Sequence, residues 1–319
     1  MSTPNDSNDG TPTGTEPSQQ PADDASVGLI GLIRITIMLL RARPALLVPF
    51  ALAGAVGATS AVARIESPYP VDMVAFPANG VVHLSVALVP TLEPMAEVNS
   101  GLVLGLKPVF LAVLIGWQVG LALAVTVAFA GVVRLAARSI SKTDAISSPS
   151  AISEVGSDES RGLPGIVPSL VRLGWLFAYV LGVQVVLLAG LFVVGAFGIG
   201  PGPGSTGLGL LFGWLFVVVP IASGLFLTPA AIVIGGKRPV EAVIESAVYA
   251  VRRPLSVVVL LLTTGYLGTV LTGVFHGGPS PRIGVALGTF TSVAVGGTLH
   301  AIVVAAAYIC WSADGYSSH

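Results

Sequence analysis

Residues 239–275 read PVEAVIESAVYAVRRPLSVVVLLLTTGYLGTVLTGVF, and two unlike helices meet in them at Arg252-Arg253-Pro254. Upstream, Val240, Val243, Ile244, Ala247, Val248 and Val251 fall at the i, i+3, i+4, i+7, i+8 and i+11 positions of one helical face. Pro239 suits the first helical position; Glu241 and Glu245 favour the positive end of the helix dipole, and Arg252 and Arg253 its negative end. The segment 239–251 is too short to cross a bilayer. It is expected to lie in the interface, with the face around Val243, Ile244 and Val248 against the bilayer or the floor of a bundle. Downstream, 255–275 holds no Asp, Glu, Lys or Arg and is long enough to span about 30 Å of hydrocarbon.

Five further stretches have the same character: 44–63, 109–133, 174–199, 208–234 and 284–309, none with a charged residue inside. The whole chain of 319 residues is 53% hydrophobic and 10% charged, with a mean hydropathy of +0.88. Soluble domains carry about a quarter charged residues, so the expected fold class is all-α, a polytopic transmembrane helical bundle of six spans. A net charge of −1 gives no basic field for nucleic acid, and the single Cys310 excludes an internal disulfide framework or a zinc site of several thiolates.

The six-span division also sorts the positive charges. With the N-terminus inside, inner segments carry Arg34, Arg41 and Arg43; Arg134, Arg138, Lys142, Arg161 and Arg172; and Lys237, Arg238, Arg252 and Arg253. Only Arg64, Lys107 and Arg282 fall outside, so twelve of the fifteen are cytoplasmic and both termini are expected there. A seventh apolar stretch, 71–92, contains Asp72, Pro77, Asn79, His83 and Pro90; it reads as an interfacial or re-entrant piece of the long outer loop 64–108, where Glu93 is expected to be accessible. The domain division that follows is a disordered acidic tail (1–25), a six-span membrane domain (26–311) and a short cytoplasmic tail (312–319). The tail 1–25 has five acidic residues and no Lys or Arg, and it lacks the positive cluster and apolar run of an export signal.

Basic residues before a proline recur. Residues 27–43 end in Arg41-Ala42-Arg43-Pro44 before the first span as Val251-Arg252-Arg253-Pro254 precede the fifth, and 163–172 form a weaker counterpart before the third. Three repeated units, each an interfacial helix followed by a transmembrane hairpin, are the expected plan. The stretch 139–160, rich in Ser and acidic residues, reads as a solvated linker, and the Gly-Pro segments 200–207 and 276–283 as tight turns.

Chemistry is sparse. Ion-coupled transport usually needs ionisable groups within the spans, and here only His300 qualifies. Gln118 and Gln184 are the side-chain amides, while Thr263, Thr264, Thr289, Thr291 and Ser292 read as hydroxyls bonded to helix backbone or across helices. Pro220 and Pro229 break the fourth span's hydrogen-bond ladder. Gly116/Gly120, Gly209/Gly213 and Gly284/Gly288 read as helix-packing pairs, and Trp117, Trp175 and Trp311 as headgroup-level rings. His83, His276 and His319 have no metal-ligand spacing, and Cys310 reads as buried or lipidated.

Ser223 in the fourth span and His300 in the sixth lie at similar depth, which resembles the rhomboid proteases, six-span enzymes with a Gly-x-Ser-Gly serine on the fourth span and a histidine on the sixth. Ile221 stands where the first glycine belongs, Ala301-Ile302-Val303 follow the histidine without a glycine pattern, and the second span offers no His or Asn for an oxyanion. No catalytic, cofactor or metal residue is therefore assigned.

Phe226-Leu227-Thr228-Pro229-Ala230-Ala231-Ile232-Val233, then Pro239 to Ser246 and the Arg252-Arg253-Pro254 turn, resemble a family of six-span proteins that includes the membrane domain fused to some bacterial glycerophosphodiester phosphodiesterases, with archaeal relatives. The resemblance covers residues 27–309. It implies a six-span core with a cytoplasmic Glu-Ala-x-x-x-Ser helix and no catalytic residues, the phosphodiesterase site belonging to a separate soluble domain. Twelve Arg to three Lys and the Asp-rich tail resemble haloarchaeal sequences. The expected function is non-enzymatic: organising lipid or assisting a membrane or cytoplasmic protein partner in the cell membrane. A permease-like role for an uncharged or amphiphilic solute is the alternative, and an intramembrane serine hydrolase the third.

Overall fold

The computed structural model describes residues 28–66, 74–75, 88–94, 97–98, 107–147, 169–196, 214–275 and 280–316, with side chains undescribed at 74–75, 97–98, 141–147, 187–196, 214, 281 and 314–316. The described chain is helical apart from short connections and one two-residue antiparallel ladder. In it Val74 (β1, Val74–Ala75) faces Val98 (β2, Glu97–Val98).

Helix α1 (Leu29–Ala42) leads through a 3₁₀ turn (Pro44–Leu47) into α2 (Val48–Glu66). Then come α3 (Pro108–Ser147) and α4 (Leu170–Ala196). A π-helical turn (Trp214–Val218) opens the interrupted helix α5 (Val219–Leu225) and α6 (Thr228–Val233). Helices α7 (Pro239–Arg252) and α8 (Pro254–Gly273) follow, then α9 (Pro281–Thr291), a second π-helical turn (Ser292–Gly297) and α10 (Thr298–Tyr316).

Among the described residues five helical stretches are long and apolar enough to cross a membrane: Pro44–Glu66, Pro108–Ile140, Leu215–Val233, Pro254–Gly273 and Arg282–Ala313. The remaining expected span, 174–199, coincides with α4, whose described side chains form the apolar stretch Leu170–Val186. An all-α helical bundle is thus the fold.

The bundle is built around α10. Its Ala301, Ile302, Val304, Ala305, Ala306 and Ala307 are fully buried, whereas Val109, Val113, Ile115 and Val127 of α3 are exposed. Alanines at the centre let neighbouring helices approach closely, and dispersion rather than water exclusion then holds them together in a lipid setting. Three glycines admit close approaches to α2 or from it. A Cβ on Gly54 would stand 3.0 Å from the Phe290 carbonyl oxygen, one on Gly297 would lie 2.7 Å from the Phe50 ring, and one on Gly57 would collide with the Leu92 carbonyl. The expected pair Gly116/Gly120 does not pack, since both glycines face open space. Gly209/Gly213 lies outside the described residues.

The two Arg-Pro corners share one geometry. Arg43 closes α1 at φ −139°, ψ 76° with its N–H on the Leu39 carbonyl, and Arg253 closes α7 at φ −135°, ψ 55° with its N–H on the Tyr249 carbonyl. Proline disfavours the helical conformation for the residue before it, and at these two corners the helix ends there and the chain turns into the next one. Of the weaker third unit, residues 170–172 belong to the start of α4, with Ser169 flanking it, and 163–168 lie outside the described residues. Likewise α3 continues as helix to Ser147, so the linker expected from 139 begins later, and α10 runs to Tyr316, so the tail expected from 312 begins as helix. The acidic segment 1–25, the outer histidines His83 and His276, and His319 lie outside the described residues.

Candidate functional site

Two groups of polar side chains are drawn into the bundle. The first gathers on residues 88–94, the end of the connection between α2 and α3. Leu88 and Leu92 are buried, and the Leu92 carbonyl rests on Gly57 of α2, a contact that a larger residue would block. Glu93, next in sequence, therefore enters between α2 and α3 instead of pointing to solvent. The expectation of an accessible Glu93 is corrected: its side chain is 6% exposed.

Each oxygen of that carboxylate accepts a hydrogen bond, and one of them is also paired with a cation. Ser60 donates its hydroxyl to Oε1, Arg64 Nε lies 2.9 Å from the same oxygen, and Gln118 Nε2 is 3.5 Å from Oε2. Trp117 Nε1 donates to Ser60 Oγ at 2.8 Å, which leaves the Ser60 proton for Glu93. Burial of a charge is costly unless it is paired and hydrogen-bonded, and this arrangement supplies both conditions. Ser60 has a carboxylate beside it but is 1% exposed. The group can fasten a loop to two helices; it offers a substrate no approach.

The second group surrounds the interruption between α5 and α6. Pro229 has no N–H, so the Leu225 carbonyl loses its donor one turn on. Tyr179 of α4 replaces it, donating its hydroxyl to that carbonyl at 3.0 Å. The Ser223 carbonyl accepts from Phe226 N at 3.3 Å, a tighter turn that leaves Leu227 N–H without its usual acceptor. Ser246 of α7 accepts that N–H at 3.0 Å. The Glu241-Ala242-x-x-x-Ser246 pattern now has a physical reading: Ala242, fully buried, and Ser246, 1% exposed, seat α7 on the interrupted helix, and Ser246 caps its broken ladder.

Beyond the break lie the two residues of the protease-like pairing. Ser223 is 5% and His300 2% exposed, and neither Ser223 Oγ nor either His300 ring nitrogen has a hydrogen-bond partner. They are consequently not bonded to each other. The imidazole sits between Phe226, edge-on with ring centroids 5.5 Å apart, and Phe129 at 6.1 Å, with the Leu88 backbone facing it. A serine nucleophile needs a base in hydrogen-bond reach and a path for water; the ring here is walled by aromatics. Thr264 bonds the Leu260 carbonyl and Ser292 the Gly268 carbonyl across a helix crossing, as the sequence suggested, while Gln184 is exposed.

Trp311, expected at headgroup level, is enclosed by protein. It is 2% exposed and covered by the Arg253 guanidinium, 5.4 Å from the ring centroid. Among the described residues no group of three or more His, Cys, Asp or Glu is arranged to hold a metal ion. Compared with known protein families, with characterised proteins and with solved structures, the chain finds no match.

Glu93 and Tyr179 were not singled out by sequence reasoning as site residues. Pro229 announces an orphaned carbonyl at Leu225, but a linear chain does not say which hydroxyl reaches it. For Glu93 the only signal is Gly57, one glycine among 39.

Proposed function

We propose that this chain is a multi-pass integral protein of the cytoplasmic membrane, with both termini cytoplasmic, that acts without catalysis by organising lipid or assisting a membrane partner. The observation that carries the reading is the disposition of α1 and α7. Each ends at an Arg-Pro corner, and each turns an apolar stripe away from the bundle: Ile30, Ile33, Ile37 and Met38 on α1, and Val240, Ile244, Val248 and Val251 on α7, from 40% to 83% exposed. Stripes of this kind beside arginines suit the boundary between headgroups and acyl chains. Helix α7 has its small face, Ala242 and Ser246, for the bundle and its larger aliphatic residues for lipid.

Orientation rests on the twelve-to-three division of positive charge. Single cysteines in a Cys310→Ser background test it. Ser148→Cys and Ser317→Cys should resist an impermeant maleimide on intact cells and react after permeabilisation, while Ser100→Cys should react at once. Reaction at Ser317→Cys without permeabilisation refutes the topology.

The interrupted helix favours the permease-like alternative. Ser223, Thr228 and His300 place buried polar atoms near a broken backbone, where a passage for an uncharged solute could be lined. Solute uptake by proteoliposomes, lost on Tyr179→Phe at equal protein level, would shift the reading to transport.

A further inference from the structure

Away from the Arg-Pro corners, at the far end of α2, that helix and α9 enclose a shallow groove. The two helices touch at Gly54, where a Cβ would stand 3.0 Å from the Phe290 carbonyl oxygen. Beyond that crossing Ala58, Ala63 and Ala286 leave the space between the helices unfilled, a volume of about 390 Å³. Thr59 and Val62 complete the walls, and the Thr59 hydroxyl donates to the Ala55 carbonyl at 2.8 Å, so the groove itself is apolar. Glu66 stands at its outer end and pairs with Arg282 of α9, Arg282 Nη1 lying 3.0 Å from Glu66 Oε1, and both side chains are more than half exposed.

Dimensions and charge select the occupant. The 23 residues Pro44–Glu66 span roughly 34 Å at the helical rise, against about 30 Å of hydrocarbon, so Glu66 and Arg282 stand at headgroup level with the groove beneath them. From Ala58 to Glu66 the groove runs roughly 12 Å, close to the depth of one leaflet, about 15 Å. A helix about 10 Å across and of that length would fill roughly 900 Å³, more than twice the space there is; a single acyl chain is narrower. At the mouth, the Arg282 fork matches a phosphate through paired N–H···O bonds, and the Glu66 carboxylate accepts from an ammonium. A net anionic lipid meets Glu66 as a like charge, and a trimethylammonium has no N–H to offer it. The pair therefore favours a zwitterion with a primary ammonium.

We propose that the groove between α2 and α9 seats one acyl chain of a zwitterionic phospholipid of the outer leaflet, with the lipid phosphate on Arg282 and its primary ammonium on Glu66. The site rests on the membrane reading above and gives it a lipid class and a place.

The test uses the full chain in nanodiscs of phosphatidylethanolamine, phosphatidylcholine and phosphatidylglycerol in equal amounts and with the same acyl chains, and native mass spectrometry reads the lipid retained. The wild type should keep phosphatidylethanolamine ahead of the other two. Ala63→Trp, which fills the groove from an exposed position, should lose it, whereas Val113→Trp on the exposed face of α3 should retain it as the wild type does. Glu66→Gln should lower phosphatidylethanolamine about fivefold, to the level of phosphatidylcholine, the factor that goes with a half-solvated charge pair. Arg282→Gln should lower both, since both carry the phosphate. The two charge variants are conservative exchanges at exposed sites and keep the test independent of the bulky one. Equal retention of phosphatidylethanolamine and phosphatidylcholine by the wild type overturns the proposal, as does a preference for phosphatidylglycerol. Undiminished retention by Ala63→Trp overturns it too, and so does a dimer that Ala63→Trp abolishes, because the groove then belongs to a second copy of the chain. Failure of the membrane orientation would show instead in maleimide labelling at Ser317→Cys, with lipid retention unaffected.

Discussion

Replacing Glu93 by alanine strands Arg64. In the wild type the Glu93 carboxylate answers Arg64, Ser60 and Gln118 within one enclosed space, with side-chain exposures of 6% for Glu93 and 14% for Arg64. Glu93→Ala leaves a guanidinium whose Nε and Nη2 already have no hydrogen-bond partner and removes the carboxylate paired with its Nε. Breaking a buried pair in this way costs about 3–5 kcal/mol, a factor of roughly 10² to 10³·⁵ in the folding equilibrium. A second ion pair provides the internal scale. Arg282 and Glu66, 3.0 Å apart, are 61% and 51% exposed, and a pair so well solvated contributes at most about 1 kcal/mol. The assay is unfolding of purified protein in mild detergent, followed by tryptophan fluorescence, for which Trp117 reports directly because its indole N–H donates to Ser60. Glu93→Ala should lower stability several times more than Glu66→Ala. The double variant Arg64→Met/Glu93→Leu should recover much of the loss, since replacing both partners by apolar residues removes the stranded charge. Equal effects of Glu93→Ala and Glu66→Ala, or a double variant less stable than Glu93→Ala, would refute the reasoning.

At the helix interruption, Tyr179→Phe and Ser246→Ala should each cost about 1–3 kcal/mol by leaving a buried backbone group unmet. Pro229→Ala, which gives the Leu225 carbonyl a donor within its own helix, should reduce the cost of Tyr179→Phe; an unchanged cost argues against the substitution of one donor by the other. On α7, Ile244→Asp should lower the yield of membrane-integrated protein far more than Glu241→Lys, because the first puts a charge into the apolar stripe and the second only reverses one beside it. Equal yields would remove the interfacial placement. Ser223 should not react with a fluorophosphonate probe, and labelling that disappears in His300→Gln at equal protein level would restore the hydrolase alternative.

Secondary structure was legible where one physical requirement dominates. The uncharged runs, about 20 residues long, suit helices because the backbone must satisfy itself in an apolar medium, and Arg253-Pro254 favours an end to α7 because the ring of a proline restricts its predecessor. The contacts between helices were not legible. Gly116/Gly120 has the spacing of a packing pair and faces open space, whereas Gly57, with no such partner in register, admits the Leu92 carbonyl. Spacing reports which residues share a face and is silent on which face meets another helix. Glu93 was misread for a related reason: a charged residue in a connecting loop is normally solvated, and only the three-dimensional convergence of Ser60, Arg64, Trp117 and Gln118 makes its burial affordable. Trp311 shows the same effect, with Arg253 brought over its ring by the corner that follows α7.

The cap on the interrupted helix sets an order of synthesis. Tyr179 precedes α5 and α6 in the chain, so its hydroxyl is at hand when the Leu225 carbonyl enters the bilayer. Ser246 comes after, and the Leu227 N–H has no side-chain acceptor until the ribosome has delivered nineteen more residues. An amide left unmet in hydrocarbon costs several kcal/mol, so the nascent fourth helix should stay hydrated or sheltered by the insertion machinery until α7 arrives. Stalling translation while α7 is still inside the ribosome should therefore leave that helix within reach of the insertase, and stalling only after α7 has emerged should let it go.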